Sequence, residues 1–139
     1  MSDKKITFKI LTPQAPVYEG EVSEITLPTK SGLISIFPDH VGMVSLVESG
    51  EVVVKKDSEE IVLHIHKGVL EIKPGSIVTI LADSADHVNE LDEEKILAAK
   101  ERAEKALEDS KTLSEIQFAR FEDQLIREIS RLNTLKKYR

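Results

Sequence analysis

The chain has 139 residues, which suits one domain, or one small domain plus an appendage. It is 40 % hydrophobic and 32 % charged, so it can bury a core beneath a strongly solvated surface. Only 4 % aromatic residues and a net charge of −6 argue against a nucleic-acid binder, and the lack of cysteine excludes disulfide and thiol chemistry. 

No apolar run approaches the roughly 20 residues that span a bilayer, and MSDKKITFKI lacks a signal-peptide core. A soluble protein is expected, brought to any membrane by a partner. The charge is uneven. Residues 1–90 hold 8 Lys/Arg against 14 Asp/Glu, whereas residues 91–139 hold 11 of each. A tail rich in both signs suits solvated helices or exchangeable partners.

Lys5 to Leu11 alternates, with Ile6, Phe8 and Ile10 on one side, and predicts a half-buried strand. Thr12 to Pro16 breaks it, because each proline removes a donor and fixes φ. Val17-Tyr18-Glu19-Gly20 reads as a corner. Val22, Ile25 and Leu27 resume the strand with a spacing that suggests a bulge. Turns are expected at Pro28–Gly32, Pro38–Gly42, Ser49-Gly50, Asp57–Glu60, Lys67-Gly68 and Lys73–Gly75. Between them lie short strands. Ser76 to Ala82 reads as the last one. Turn signals every 8–12 residues predict an all-β sandwich or barrel of eight to ten strands.

The apolar period then changes from 2 to 3.6. Asp92 is placed to cap a helix, with Glu93 and Glu94 in its first turn. Ile96, Ala99, Ala103, Ala106 and Leu107 form a narrow stripe of mostly small residues. Asp109–Thr112 breaks the pattern, and Ser114 with Gln117 forms a capping box. The second helix carries Phe118, Phe121, Leu125, Ile129 and Leu132 and is expected to end near Lys136-Lys137. A short connection makes the pair an antiparallel hairpin with a thin seam. The expected domains are a β-sandwich over residues 1–88 and a helical hairpin over residues 89–139.

Few residues carry chemistry. His64-Ile65-His66 with Glu71 has the spacing His-x-His-x4-Glu, which resembles the first metal motif of cupins. Ser58 stands where that motif has glycine, and no second motif supplies a fourth ligand. Alternation instead places both histidines on the polar face of their strand. His40 reads as a turn or interface residue, and His87 as a polar position in the joint between the two halves. Neither a P-loop nor a catalytic serine or lysine pattern is present. Arg120, Arg127 and Arg131 fall at i, i+7 and i+11, within about 40° of one another on one helical face. Such a row can grip an acidic surface or a phosphate. With Asp123 and Glu128 nearby, it can equally be a solvated charged face.

Several segments together resemble the epsilon subunit of rotary ATP synthases, the delta subunit in mitochondrial naming. They are Lys9-Ile10-Leu11-Thr12-Pro13, Val17 to Val22, Gly32 through Pro38-Asp39-His40, Gly68 to Ile72, and Val78 to Ala85. Ser35 replaces a usual glycine and Phe37 a usual leucine. The resemblance covers essentially the whole chain. It implies a β-sandwich followed by a two-helix hairpin, and a non-catalytic central-stalk role in a proton-translocating machine. It also implies that the sandwich binds the gamma subunit and the membrane c ring. In bacterial and chloroplast relatives the helices can extend to the catalytic beta subunit and block ATP hydrolysis; Arg120, Arg127 and Arg131 are the matching candidates. The implied location is the cytoplasmic face of a bacterial plasma membrane, without insertion. Some relatives bind regulatory ATP through Ile/Leu-Asp-x-x-Arg-Ala. Here that stretch reads Leu91-Asp92-Glu93-Glu94-Lys95-Ile96, with Asp86 upstream and Arg127 and Arg131 at the remaining basic positions. Lys95 lacks the guanidinium fork and Ile96 adds bulk, so weak or absent ATP binding is expected. The alternative reading is a cupin-like metal enzyme using His64, His66 and Glu71.

Overall fold

A computed structural model describes residues 4–138. The chain divides into two compact units, the first ending at His87 and the second beginning at Val88.

Among the described residues the first unit holds eight strands. They are β1 (Ile6–Leu11), β2 (Pro16–Val22), β3 (Glu24–Thr29), β4 (Gly32–Ile36), β5 (Met43–Val47), β6 (Gly50–Lys56), β7 (Glu59–Lys73) and β8 (Ile77–His87). The ladder runs β2-β1-β8-β7-β5-β3-β4, with β6 bridging β3 and β7. All pairs are antiparallel except β1 with β8. The ladder closes into a two-layer sandwich because one edge of β7 carries two partners: β6 along Glu59–Ile65 and β5 along Gly68–Ile72. β3 in turn pairs with both β5 and β6.

The core is built by alternation. Ile6, Phe8 and Ile10 of β1 are fully buried and meet Ile25, Leu27, Leu70 and Ile80 in one cluster. Burial of each such side chain stabilises by about 1.5–3 kcal/mol. Along β7 the buried face changes parity. Leu63 and Ile65 enter the core before Lys67, and Leu70 and Ile72 after it. The switch falls where Lys67 adopts φ 50°. A Cβ on the adjacent Gly68 would lie 2.3 Å from the Leu81 carbonyl oxygen. The chain therefore needs glycine there for close backbone approach. Lys67-Gly68 is accordingly a twist inside one 15-residue strand and not the expected turn.

Two other expectations change. Val17–Gly20 is not a corner; it lies inside β2 and pairs with β1. The irregular spacing after it marks a change of strand at Ser23, whose N–H donates to the Lys55 carbonyl. The last strand does not stop at Ala82. It continues to His87, paired with β7 through Leu63.

The second unit opens on a 3-10 turn, Val88–Glu90, followed by α1 (Glu93–Glu108) and α2 (Glu115–Tyr138). Asp92 caps α1, its Oδ1 accepting from the N–H groups of Glu94 at 3.0 Å and Lys95 at 3.3 Å. Ser114 and Gln117 close a reciprocal capping box at 3.0 and 3.2 Å. The helices pack on each other, and α1 buries only Ile96 and Ala103. The buried positions of α2 are Glu128, Leu132, Thr134 and Leu135, whereas Phe118 and Ile129 remain partly exposed. The predicted stripe is thus buried only towards its C-terminal end. Methyl-sized side chains on α1 cover little area, which leaves the large residues at the start of α2 half open.

Candidate functional site: an apolar row and an arginine face

Strand register in the first unit assembles a surface that alternation alone does not suggest. Leu46 of β5 lies opposite Val69 of β7. Val69 lies opposite Leu81 of β8, and Leu81 opposite Leu11 of β1. Four aliphatic side chains therefore form a continuous row across four strands. Leu46 and Leu81 are 55 % and 56 % exposed, and Leu11 is half-buried. The next row on the same face is Val44, Glu71, Thr79 and Lys9. A groove of about 320 Å³ borders the apolar row, lined by Leu11, Thr12, Pro13, Leu81, Ala82 and Asp83. Contiguous exposed apolar surface with a polar margin suits a protein partner. The sequence does carry a signal for it. In β5 and β8 apolar residues occupy both parities, so a second apolar face is already written there.

In the second unit Arg127 and Arg131 meet at Glu128. Arg131 Nη1 donates to Glu128 Oε1 at 2.8 Å, and Arg127 Nε lies 3.5 Å from the same oxygen. Glu128 is only 3 % exposed. A buried carboxylate is retained only when paired: Arg131 supplies a charge-assisted hydrogen bond, and Arg127 a longer ion contact in which its Nε makes no hydrogen bond. Arg120, two turns earlier on α2, is exposed. The three arginines thus stand in two environments: one open to solvent and two held by an internal acid.

The residues matched to the nucleotide motif are distributed. Asp92, Lys95, Arg127 and Arg131 belong to the helical unit, and Asp92 is already engaged as a helix cap. Asp86 belongs to the sandwich, opposite His64 in the β7–β8 ladder.

The histidines call for a correction. His64 and His66 do not sit on a solvated face: they are 0 % and 1 % exposed. Both faces of β7 are covered between Val62 and His66, so alternation carries no inside–outside information there. His66 Nδ1 lies 2.6 Å from Ser49 Oγ. Glu71 lies five residues further along an unbroken strand, roughly 16 Å from His66 at 3.3 Å per residue. Its carboxylate is exposed and pairs with Lys73 at 3.6 Å. Among the described residues no group of three or more His, Cys, Asp or Glu is placed to hold a metal ion. The cupin-like alternative is therefore not supported. His40 sits in an exposed loop with its Nδ1 2.8 Å from the Val41 carbonyl oxygen. His87 ends β8, its Nε2 3.3 Å from the Val17 carbonyl oxygen, and so belongs to a strand and not to a linker.

Two family models match consecutive stretches of the chain. Residues 5–88 match the β-sandwich domain of the ATP synthase delta/epsilon chain, and residues 89–136 match its long α-helix domain. The chain belongs to the ATP synthase delta/epsilon family. The epsilon chain of Nitrosomonas europaea is 37 % identical over 133 residues, covering 94 % of this chain and 91 % of that one. The epsilon chain of Bacillus licheniformis is 33 % identical, covering 96 % and 99 %. Among solved structures, a chain of the Euglena gracilis mitochondrial ATP synthase superposes with a TM-score of 0.66 at 19 % identity, covering 97 % of this chain and 82 % of that one. A chain of the Tetrahymena thermophila ATP synthase central stalk and c ring gives 0.61 at 11 % identity, covering 97 % and 99 %. These two likenesses bear on the fold. As an epsilon-family chain the protein is a non-catalytic rotor subunit of an ATP synthase and not an enzyme in its own right. No helix among the described residues is long and apolar enough to cross a membrane.

Proposed function

We propose that the sandwich docks this subunit onto the gamma subunit and c ring of the rotor, and that the arginine face of α2 restrains ATP hydrolysis by engaging an acidic segment of the catalytic beta subunit. The observation that carries the docking reading is the in-register row Leu46, Val69, Leu81 and Leu11, in which four strands place aliphatic side chains side by side and leave Leu46 and Leu81 more than half exposed. The observation that supports the brake is the alignment of Arg120, Arg127 and Arg131 on one helix with a thin seam to its partner. The complex would sit on the cytoplasmic face of a bacterial plasma membrane.

Leu46→Glu and Leu81→Glu test the docking reading. Both positions are exposed, so the fold is expected to survive, as checked by circular dichroism. Binding to the cognate gamma subunit is expected to weaken by about 30-fold or more, the scale of a central interface residue. Unchanged affinity in both variants would remove the apolar row as the dock.

Regulatory ATP at Asp86, Asp92, Lys95, Arg127 and Arg131 is expected to bind weakly or not at all. Lys95 offers a point charge in place of a fork. The Asp92 carboxylate is committed to the helix cap, and Glu128 already occupies two arginines. Isothermal titration of the full chain is expected to show no tight site; a micromolar one would contradict this reading.

A further inference from the structure

Glu128 is the feature of α2 that the docking and braking readings do not use. It is a nearly fully buried carboxylate beside the helix face whose cations are proposed to meet an acidic partner, about 60° round the helix from Arg131 and about 100° from Arg127. One of its oxygens serves both guanidiniums, at 2.8 Å from Arg131 Nη1 and 3.5 Å from Arg127 Nε. Arg131 stands one helical turn beyond Glu128, and Arg127 immediately before it. The i,i+3 spacing lets Arg131 reach Glu128 without distorting the helix, and Arg127 approaches the same oxygen more distantly from the adjacent position.

We propose that Glu128 is an internal latch: a built-in carboxylate that occupies Arg127 and Arg131 until the acidic segment of the partner displaces it. The inference rests on the braking reading above and names its regulation. Three consequences follow from the geometry. Arg120 is exposed and has the freedom to make the first contact. The displacing group must be anionic, because it replaces a carboxylate at two guanidiniums. It must also bring more than one negative charge, since Glu128 competes from within the same helix at a high effective concentration. An incoming group that cannot meet both arginines leaves the latch closed. The latch thus raises the threshold for engagement and selects for clustered acids.

The test uses the cognate catalytic head stripped of this subunit, with the full chain added back and the half-inhibiting concentration recorded. Glu128→Gln keeps the shape and removes the charge. It is expected to lower the half-inhibiting concentration at least about fivefold, the lower end of a typical coupling between two binding events. Ala103→Gly provides the comparison, because it loosens the helix pair without touching the ion pairs. If Ala103→Gly lowers the concentration as much as Glu128→Gln, the carboxylate acts only through hairpin stability and the latch is overturned. If Glu128→Gln does not change inhibition at all, the latch is likewise overturned. The Arg120→Ala/Arg127→Ala/Arg131→Ala variant separates this from the parent reading. Inhibition that survives the triple variant removes the braking reading itself. Inhibition that is lost there, with no gain from Glu128→Gln, removes only the latch. Should Glu128→Gln fail to fold, guanidinium NMR of the unmodified chain decides. The latch predicts hindered guanidinium rotation at Arg131, whose Nη1 donates to Glu128, and free rotation at Arg120, and equal rates at the two would overturn it.

Discussion

Gly68 has no room for a methyl group. The Leu81 carbonyl oxygen stands 2.3 Å from where its Cβ would be, and backbone cannot move aside as a flexible side chain can. Gly68→Ala must therefore push β7 and β8 apart at the point where the core face of β7 changes parity. A cost of about 2–3 kcal/mol is expected, typical of forced overpacking, and is measurable as a fall in the urea midpoint. A variant as stable as the parent would show that the two strands approach less closely than described. The same residue illustrates a limit of sequence reading. Lys67-Gly68 looks like a turn because glycine most often marks one, and the actual demand, close backbone approach within a continuous strand, leaves the same letter. Glu128 is a similar case. Its position between two arginines is visible in the sequence, but its burial depends on how the helix is rotated, and the apolar stripe fixes that rotation only coarsely.

Elements with strong local chemistry were legible. The alternation of β1 predicts its three fully buried residues, and the Ser114–Gln117 box closes as its spacing requires. Both are decided within a few residues, where local rules suffice. The apolar row is decided by register between strands distant in sequence: Leu11 meets Leu81 only because β1 and β8 pair in parallel. No local period contains that information, although the doubled hydrophobicity of β5 and β8 points to a second face. The histidines of β7 fail for the opposite reason, since a central strand covered on both sides has no polar face to predict. At this scale Asp92 offers a direct check. Asp92→Ala removes the acceptor for two amides of the first turn of α1, and the helix is expected to lose about 1 kcal/mol. Hydrogen exchange should then show reduced protection around Ile96. Unchanged protection would mean that the cap contributes nothing to α1.

At the scale of the whole molecule the two units carry different kinds of surface. The sandwich offers aliphatic side chains in a fixed register, which suits a lasting interface. The helical hairpin has a thin seam, a balanced charge and an arginine row partly satisfied from within, which suits an engagement that can be made and broken. Membership of the ATP synthase epsilon family joins the two in one rotor subunit. In the proposed function one surface holds the subunit in place while the other brakes hydrolysis. The most direct test is ATP hydrolysis by the cognate catalytic head lacking this subunit, with binding recorded alongside rate, after addition of the full chain or of its Arg120→Ala/Arg127→Ala/Arg131→Ala variant. Both are expected to bind equally well, with only the unmodified chain slowing hydrolysis. Equal slowing by both would contradict the proposed function.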